Sequence, residues 1–184
     1  VVGLLRGEHK GPTLLMRSDM DALPIQEKND VSYKSVNPGV MHACGHDGHM
    51  AMLMVTAKIL SEYRDKIKGN IKFVFQPNEE AAEGAKKMIQ EGVLNNPKVN
   101  AAMGLHLWSQ LKSGLVGLKT GAVMAALTTF KMNITGKGGH TGYPEYAIDP
   151  IIAVADMIQK VQILQTRETN QLNSTIIIFS KISG

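Results

Sequence analysis

At 184 residues the chain is long enough to bury a core, as one domain or as two small ones. Its 20 basic and 16 acidic residues leave a net charge of +4 but are spread along the whole length, and only 5% of residues are aromatic, which argues against a nucleic-acid surface. No apolar run approaches a bilayer span, no signal peptide is visible, and the single cysteine, Cys44, excludes an internal disulfide and fits a reducing, cytoplasmic setting.

In chain order, Thr13–Met16 predicts a short strand that runs into the polar Arg17-Ser18-Asp19-Met20-Asp21. Residues 22–41 hold Pro24, Asn37, Pro38 and Gly39 and read as a loop. From Asp47, a plausible N-cap, to about Arg64 the residues are strong helix formers, and Ala51–Ala57 is apolar on nearly every face, so a buried helix is expected. Ile71–Phe75 is a strand ending in Gln76-Pro77-Asn78-Glu79-Glu80; Ala81–Glu91 is a helix stopped by Gly92; Val99–Leu107 is a further strand with His106 near its end. This βαβαβ rhythm predicts an α/β sheet with the acidic and histidine residues at the carboxyl ends of its strands, where such sheets gather ligands. The character changes near residue 115. Thr128–Thr135 alternates as a strand, Gly136-Lys137-Gly138-Gly139-His140 is a flexible turn, Asp149-Pro150 opens a helix to about Gln165, and Ser174–Ile182 is a β-branched strand.

The chemistry concentrates at His42, Cys44, His46, Asp47 and His49, five side chains of metal-binding type within eight residues. Cys44 and His46 stand just before the expected helix, where its dipole favours a thiolate, and their spacing in extended chain aims both at one centre. His42 and His49 read as hydrogen-bonding support or polar surface. Of the neighbours Glu79 and Glu80, one can ligate a cation while the other faces water as a base; they also fit a pair of solvated acids opening a helix. His106, beside Trp108, is by itself compatible with a satisfied core histidine. Asp19 and Asp21 are alternatives for holding a ligating imidazole in its tautomer, or are turn-forming acids before Pro24.

Five ordered motifs carry a resemblance: Ser18-Asp19-Met20-Asp21-Ala22-Leu23-Pro24, His42-Ala43-Cys44-Gly45-His46-Asp47-Gly48-His49, Gln76-Pro77-Asn78-Glu79-Glu80, Gly104-Leu105-His106-Leu107-Trp108 and Gly136-Lys137-Gly138-Gly139-His140. Together the series resembles the M20 metallopeptidase family, in particular its aminoacylase-like amidohydrolase branch of hippurate and auxin-conjugate hydrolases. The resemblance implies an α/β catalytic domain (residues 1–114) and an inserted β-α-β lid that dimerises in the complete protein (residues 115–184). It also implies two divalent ions, manganese or zinc, with cobalt or nickel compatible. Carried over to this sequence, Cys44, His46, Glu80 and His106 would bind metal, Glu79 would be the general base, and Asp21 would support the ligands. His140 would stabilise the oxyanion, in its own or a partner subunit's site.

The implied reaction is hydrolysis of the amide bond of an N-acyl amino acid or similar small conjugate, with neither nucleic acid nor membrane as partner. Rival readings are a dipeptidase or carboxypeptidase of the same family, an inactive binding or dimerising fragment, and a cysteine hydrolase built on Cys44. No histidine follows His140, although the family carries a further ligand downstream, and the chain begins at Val1; a fragment is expected.

Overall fold

The structure is a computed structural model that describes residues 1–170 and 175–183. It divides into two compact units, Val1–Leu127 and Thr128–Gly184. The first is a mixed four-stranded sheet with helices. Its strands are β1 (Val2–Arg6), β2 (His9–Asp19), β3 (Lys68–Gln76) and β4 (Ala101–Gly104), in the order β1-β3-β2-β4. The helices are α1 (His46–Glu62), between β2 and β3, and α2 (Gly84–Gln90), between β3 and β4. β2 runs parallel to both β3 and β4, which forms the expected βαβαβ unit, and β1 adds an antiparallel edge that the sequence reading omits. Because β3 and β4 flank β2 on opposite sides, the connections diverge around the carboxyl end of β2, the position at which open α/β sheets bind ligands.

Ile71, Phe73 and Phe75 alternate along β3 and pack with Leu53, Ala57 and Leu60 of α1. The stripe of α1 that turns to the sheet begins with His46 and His49 and continues with Leu53, so the spacing that seats a leucine in the core seats two imidazoles beyond the strand ends. The expectation of a helix buried on nearly every face fails: Met54 and Val55 are 61% and 56% exposed, because α1 covers a sheet with one face only. Nor is Asp47 the N-cap. Gly45 holds that position with φ 81, a left-handed conformation suited to glycine, and Asp47 lies in the first turn.

On the other side of β3, the buried Lys72 donates from Nζ to the carbonyls of Val93, Asn95 and Pro97 at 2.9, 2.7 and 3.1 Å, drawing the segment after α2 onto the sheet. Thr13 and Asn100 then exchange two hydrogen bonds that lead the chain into β4. α2 starts at Gly84 rather than Ala81, because Asn78 and Ala82 take φ values of 57 and 56 that a helix cannot accommodate. β4 is shorter than the predicted 99–107; its pairing with β2 ends at Gly104, and His106 lies beyond it.

In the second unit, α3 (Pro150–Arg167) begins as expected, with Asp149 accepting from Ile151 N at 2.8 Å and Pro150 in the first turn. The strands expected at 128–135 and Ser174–Ile182 do not form among the described residues, and Ser174 lies outside them. A β-branched run becomes a strand only with a partner ladder. Here the backbone of Ile177 is engaged instead by α3: Ile177 N donates to Gln165 Oε1 at 3.1 Å and Gln162 Nε2 to Ile177 O at 3.3 Å. Phe130 and Phe179 meet edge-on at 5.9 Å, so the two segments still touch through side chains. Among the described residues no helix is long and apolar enough to cross a membrane.

Candidate metal centre

Asp19 ends β2 and is 1% exposed. Arg17 Nη1 donates to its Oδ2 at 2.8 Å and His49 Nδ1 to its Oδ1 at 2.6 Å. Burial alone would raise the pKa of Asp19; the His49 hydrogen bond and the Arg17 charge outweigh it and hold the carboxyl below its ordinary value. The other nitrogen of His49, Nε2, accepts from Leu107 N–H at 2.8 Å. An amide N–H can only donate, so the neutral ring carries its proton on Nδ1 and both nitrogens are committed.

His46 is fixed in the same tautomer by a different route: Nδ1 lies 2.9 Å from the carbonyl oxygen of Asp21, which can only accept. Its Nε2 therefore presents a lone pair, is buried, and has no hydrogen-bond partner. Around that atom stand Asp19 Oδ2 at 3.7 Å, Glu80 Oε1 at 3.7 Å and Glu79 Oε2 at 4.0 Å. A buried lone pair facing carboxylate oxygens is unfavourable by itself and favourable once a cation lies between them. His46 belongs to every group of donors within 4.8 Å of one another among the described residues: with Cys44 and His106, with Glu79 and Glu80, and with Asp19 and His49. The last pair is spent on hydrogen bonds. The remaining thiol, imidazoles and carboxylates match the donor preferences of divalent transition ions.

Cys44 Sγ lies 3.4 Å from His106 Nε2, and His106 Nδ1 bonds to Leu107 O at 2.5 Å. Burial, followed by the charges of Glu80, Glu79 and Asp19, pushes the Cys44 thiol pKa up. This corrects the expectation of a dipole-favoured thiolate: burial and the carboxylates brought from the end of β3 favour the thiol, whose proton a bound cation would displace. It also counts against a cysteine nucleophile. Asp21 works through two groups, its carbonyl on His46 and its Oδ2, which accepts from Glu80 N at 3.1 Å. Burial would raise its pKa, but backbone hydrogen bonds from Glu80 and Glu79 lower it overall. Leu23 and Met41 exchange two hydrogen bonds, at 2.9 and 3.0 Å, that close the 22–41 loop between Asp21 and the segment carrying Cys44 and His46. Asp19 and Asp21, read from sequence as alternatives, are both used. His42 has a buried Nδ1 without a hydrogen-bond partner.

His140 lies in the second unit. Gly142 N donates to its Nδ1 at 3.0 Å, which leaves Nε2–H as the free donor of the neutral ring.

Residues 15–175 match the family model described as peptidase family M20/M25/M40. The chain belongs to this family. This M20 chain is 45% identical over 180 residues to N-acetyl-L-cysteine deacetylase of Bacillus subtilis, covering 98% of the chain and 43% of that protein. It is 44% identical over 184 residues to IAA-amino acid hydrolase ILR1-like 2 of Arabidopsis thaliana, covering 100% of the chain and 41% of that protein. A solved structure, the YXEP protein of Bacillus subtilis, described as a dinuclear metal-binding peptidase of the M20 family, superposes with a TM-score of 0.62 at 43% identity over 64% of this chain and 33% of its own. The M20 chain thus spans less than half the length of these curated relatives.

Proposed function

We propose that this M20 chain carries the metal-binding part of a hydrolase that cleaves the amide bond of N-acyl amino acids or similar small conjugates. The observation that supports this most is the buried, unpartnered Nε2 of His46 among Cys44, His106, Glu79 and Glu80. In this reading Cys44, His46, Glu80 and His106 hold a pair of divalent cations, manganese or zinc by preference. Such ions would polarise the substrate carbonyl and acidify a water.

Glu79 takes a proton from the attacking water as its oxygen bonds to the carbonyl carbon. It then delivers that proton to the nitrogen as the C–N bond breaks, giving an amine and a carboxylic acid that ionises to water. Asp21 keeps the His46 lone pair aimed and tethers the Glu80 backbone. His140 donates from Nε2 to the carbonyl oxygen as it gains charge, in its own or a partner subunit's site. Residues 1–114 are assigned to the catalytic domain and 115–184 to a lid through which the complete protein dimerises.

A panel of N-acetyl, N-benzoyl and indole-acetyl amino acids against unblocked dipeptides, assayed on the complete gene product, tests the substrate class. We expect kcat/KM about a hundredfold higher for the acylated set, since a site shaped for an acyl group leaves a free ammonium desolvated and unpaired. Preference for dipeptides would overturn the amidohydrolase assignment in favour of a dipeptidase.

A further inference from the structure

In the segment His46-Asp47-Gly48-His49 only His46 belongs to the ligand set; Gly48 and His49 lie on the side of the helix that meets Leu107. The segment carrying His106 is short of support. The ladder between β2 and β4 ends at Gly104, and the side chains of Leu105, Leu107 and Trp108 are about half exposed or more. A metal ligand on such a segment needs something else to hold it; one bond comes from α1 and a second lies within the segment. Leu107 N–H donates to His49 Nε2 at 2.8 Å, while Leu107 O accepts from His106 Nδ1 at 2.5 Å. The main chain of one residue therefore joins the two imidazoles, whose ring centres stand 4.5 Å apart. Behind His49, which is 2% exposed, Asp19 receives its Nδ1–H and is itself braced by Arg17. The Leu107 side chain rests over the start of the helix, where a Cβ at Gly48 would come within 2.7 Å of Leu107 Cδ1.

We propose that Gly48 and His49 form a seat on α1 for the His106-Leu107 segment, which makes His49 a positioning residue for the His106 imidazole and not a ligand. This rests on the dinuclear reading above. With its Nε2 lone pair given to Leu107 and its Nδ1 proton to Asp19, His49 has nothing left for an ion. Its effect reaches the centre through Leu107: His49 holds the 106–107 peptide by its N–H, and the next peptide, across Leu107 Cα, offers its carbonyl to His106 Nδ1–H, which turns the Nε2 lone pair of His106 toward Cys44, 3.4 Å away. Outer hydrogen bonds of this kind direct a ligand and tune its basicity.

The test is zinc affinity of the complete gene product, by competition with a chromophoric chelator, together with the thiolate-to-cobalt absorption of the cobalt(II) form. In His49→Asn, whose shorter side chain reaches only one of the two partners, one of the two ions is expected to bind about 10–100-fold more weakly and the cobalt band to shift, while the other ion is little changed. His49→Gln, long enough to offer a donor and an acceptor, is expected to recover most of that loss. Gly48→Ala, which crowds Leu107 and leaves every hydrogen-bonding group in place, is expected to weaken the same ion and decides the matter if the Asn variant does not fold. Unchanged affinities and spectra in folded variants, with only a lower Tm, would overturn the seat. Wild-type protein that fails to bind two ions would overturn the dinuclear reading and the seat together.

Discussion

Glu79→Gln is expected to lower kcat by roughly three orders of magnitude while leaving metal content and KM close to those of the wild type. The substitution keeps the size and shape of the side chain and removes only its ability to take a proton. Glu79 is suited to that task because its side chain is 36% exposed and so open to water, with Oε2 4.0 Å from the buried His46 Nε2, beside the donors proposed to hold the cations. Its neighbour sits closer, with Oε1 3.7 Å from the same nitrogen and its backbone tied to Asp21. Glu80→Gln should therefore lose metal affinity as well as turnover. The comparison is made by steady-state kinetics and metal analysis on both variants. A Glu79→Gln enzyme within tenfold of wild type would remove Glu79 from proton transfer, and loss of an ion from it would make Glu79 a ligand.

Asp19→Ala is expected to destabilise the fold by about 3–5 kcal/mol, the cost of deleting one partner from a buried charged network. The carboxylate is almost completely buried and accepts from both Arg17 and His49. Its removal leaves the His49 N–H without an acceptor and Arg17 without its counter-charge. The pH dependence follows from the same contacts. The folded pKa lies below the ordinary 3.8, so the contribution is fully present above that value and is lost as pH falls through the lower folded one. Asp21, shifted in the same direction, adds to the effect. Urea midpoints measured across the acid range should fall more steeply for the wild type than for Asp19→Ala. Equal slopes and a Tm within a degree or two of wild type would show that the network contributes nothing.

The order of strands and helices was legible because Thr13–Met16 and Ile71–Phe75 are apolar runs separated by a long stretch of helix formers, and because metal-binding side chains follow each run. What the sequence does not display is the direction of individual groups. Asp19 and Asp21 are two residues apart and chemically identical, yet one braces His49 with its carboxylate and the other holds His46 with its carbonyl. The Cys44 thiol pKa is raised by burial and by Glu80 and Glu79, distant in sequence, none of which the local helix start displays. His49 reads as generic support until Leu107 N–H is seen on its Nε2. The alternation at 128–135 is a genuine strand pattern, but a strand also requires a hydrogen-bonded neighbour, and none pairs with it among the described residues. β1 escaped notice because glycine interrupts its apolar residues and the sheet supplies its pairing.

Metal dependence is tested most directly by titrating the complete gene product with a chelator, then with zinc or manganese, while following bound metal and hydrolysis of an N-acetyl amino acid on the same samples. Activity should disappear as the ions leave and return in proportion as about two ions per chain are restored. Undiminished turnover by protein stripped of divalent metal would contradict the metal-dependent hydrolase.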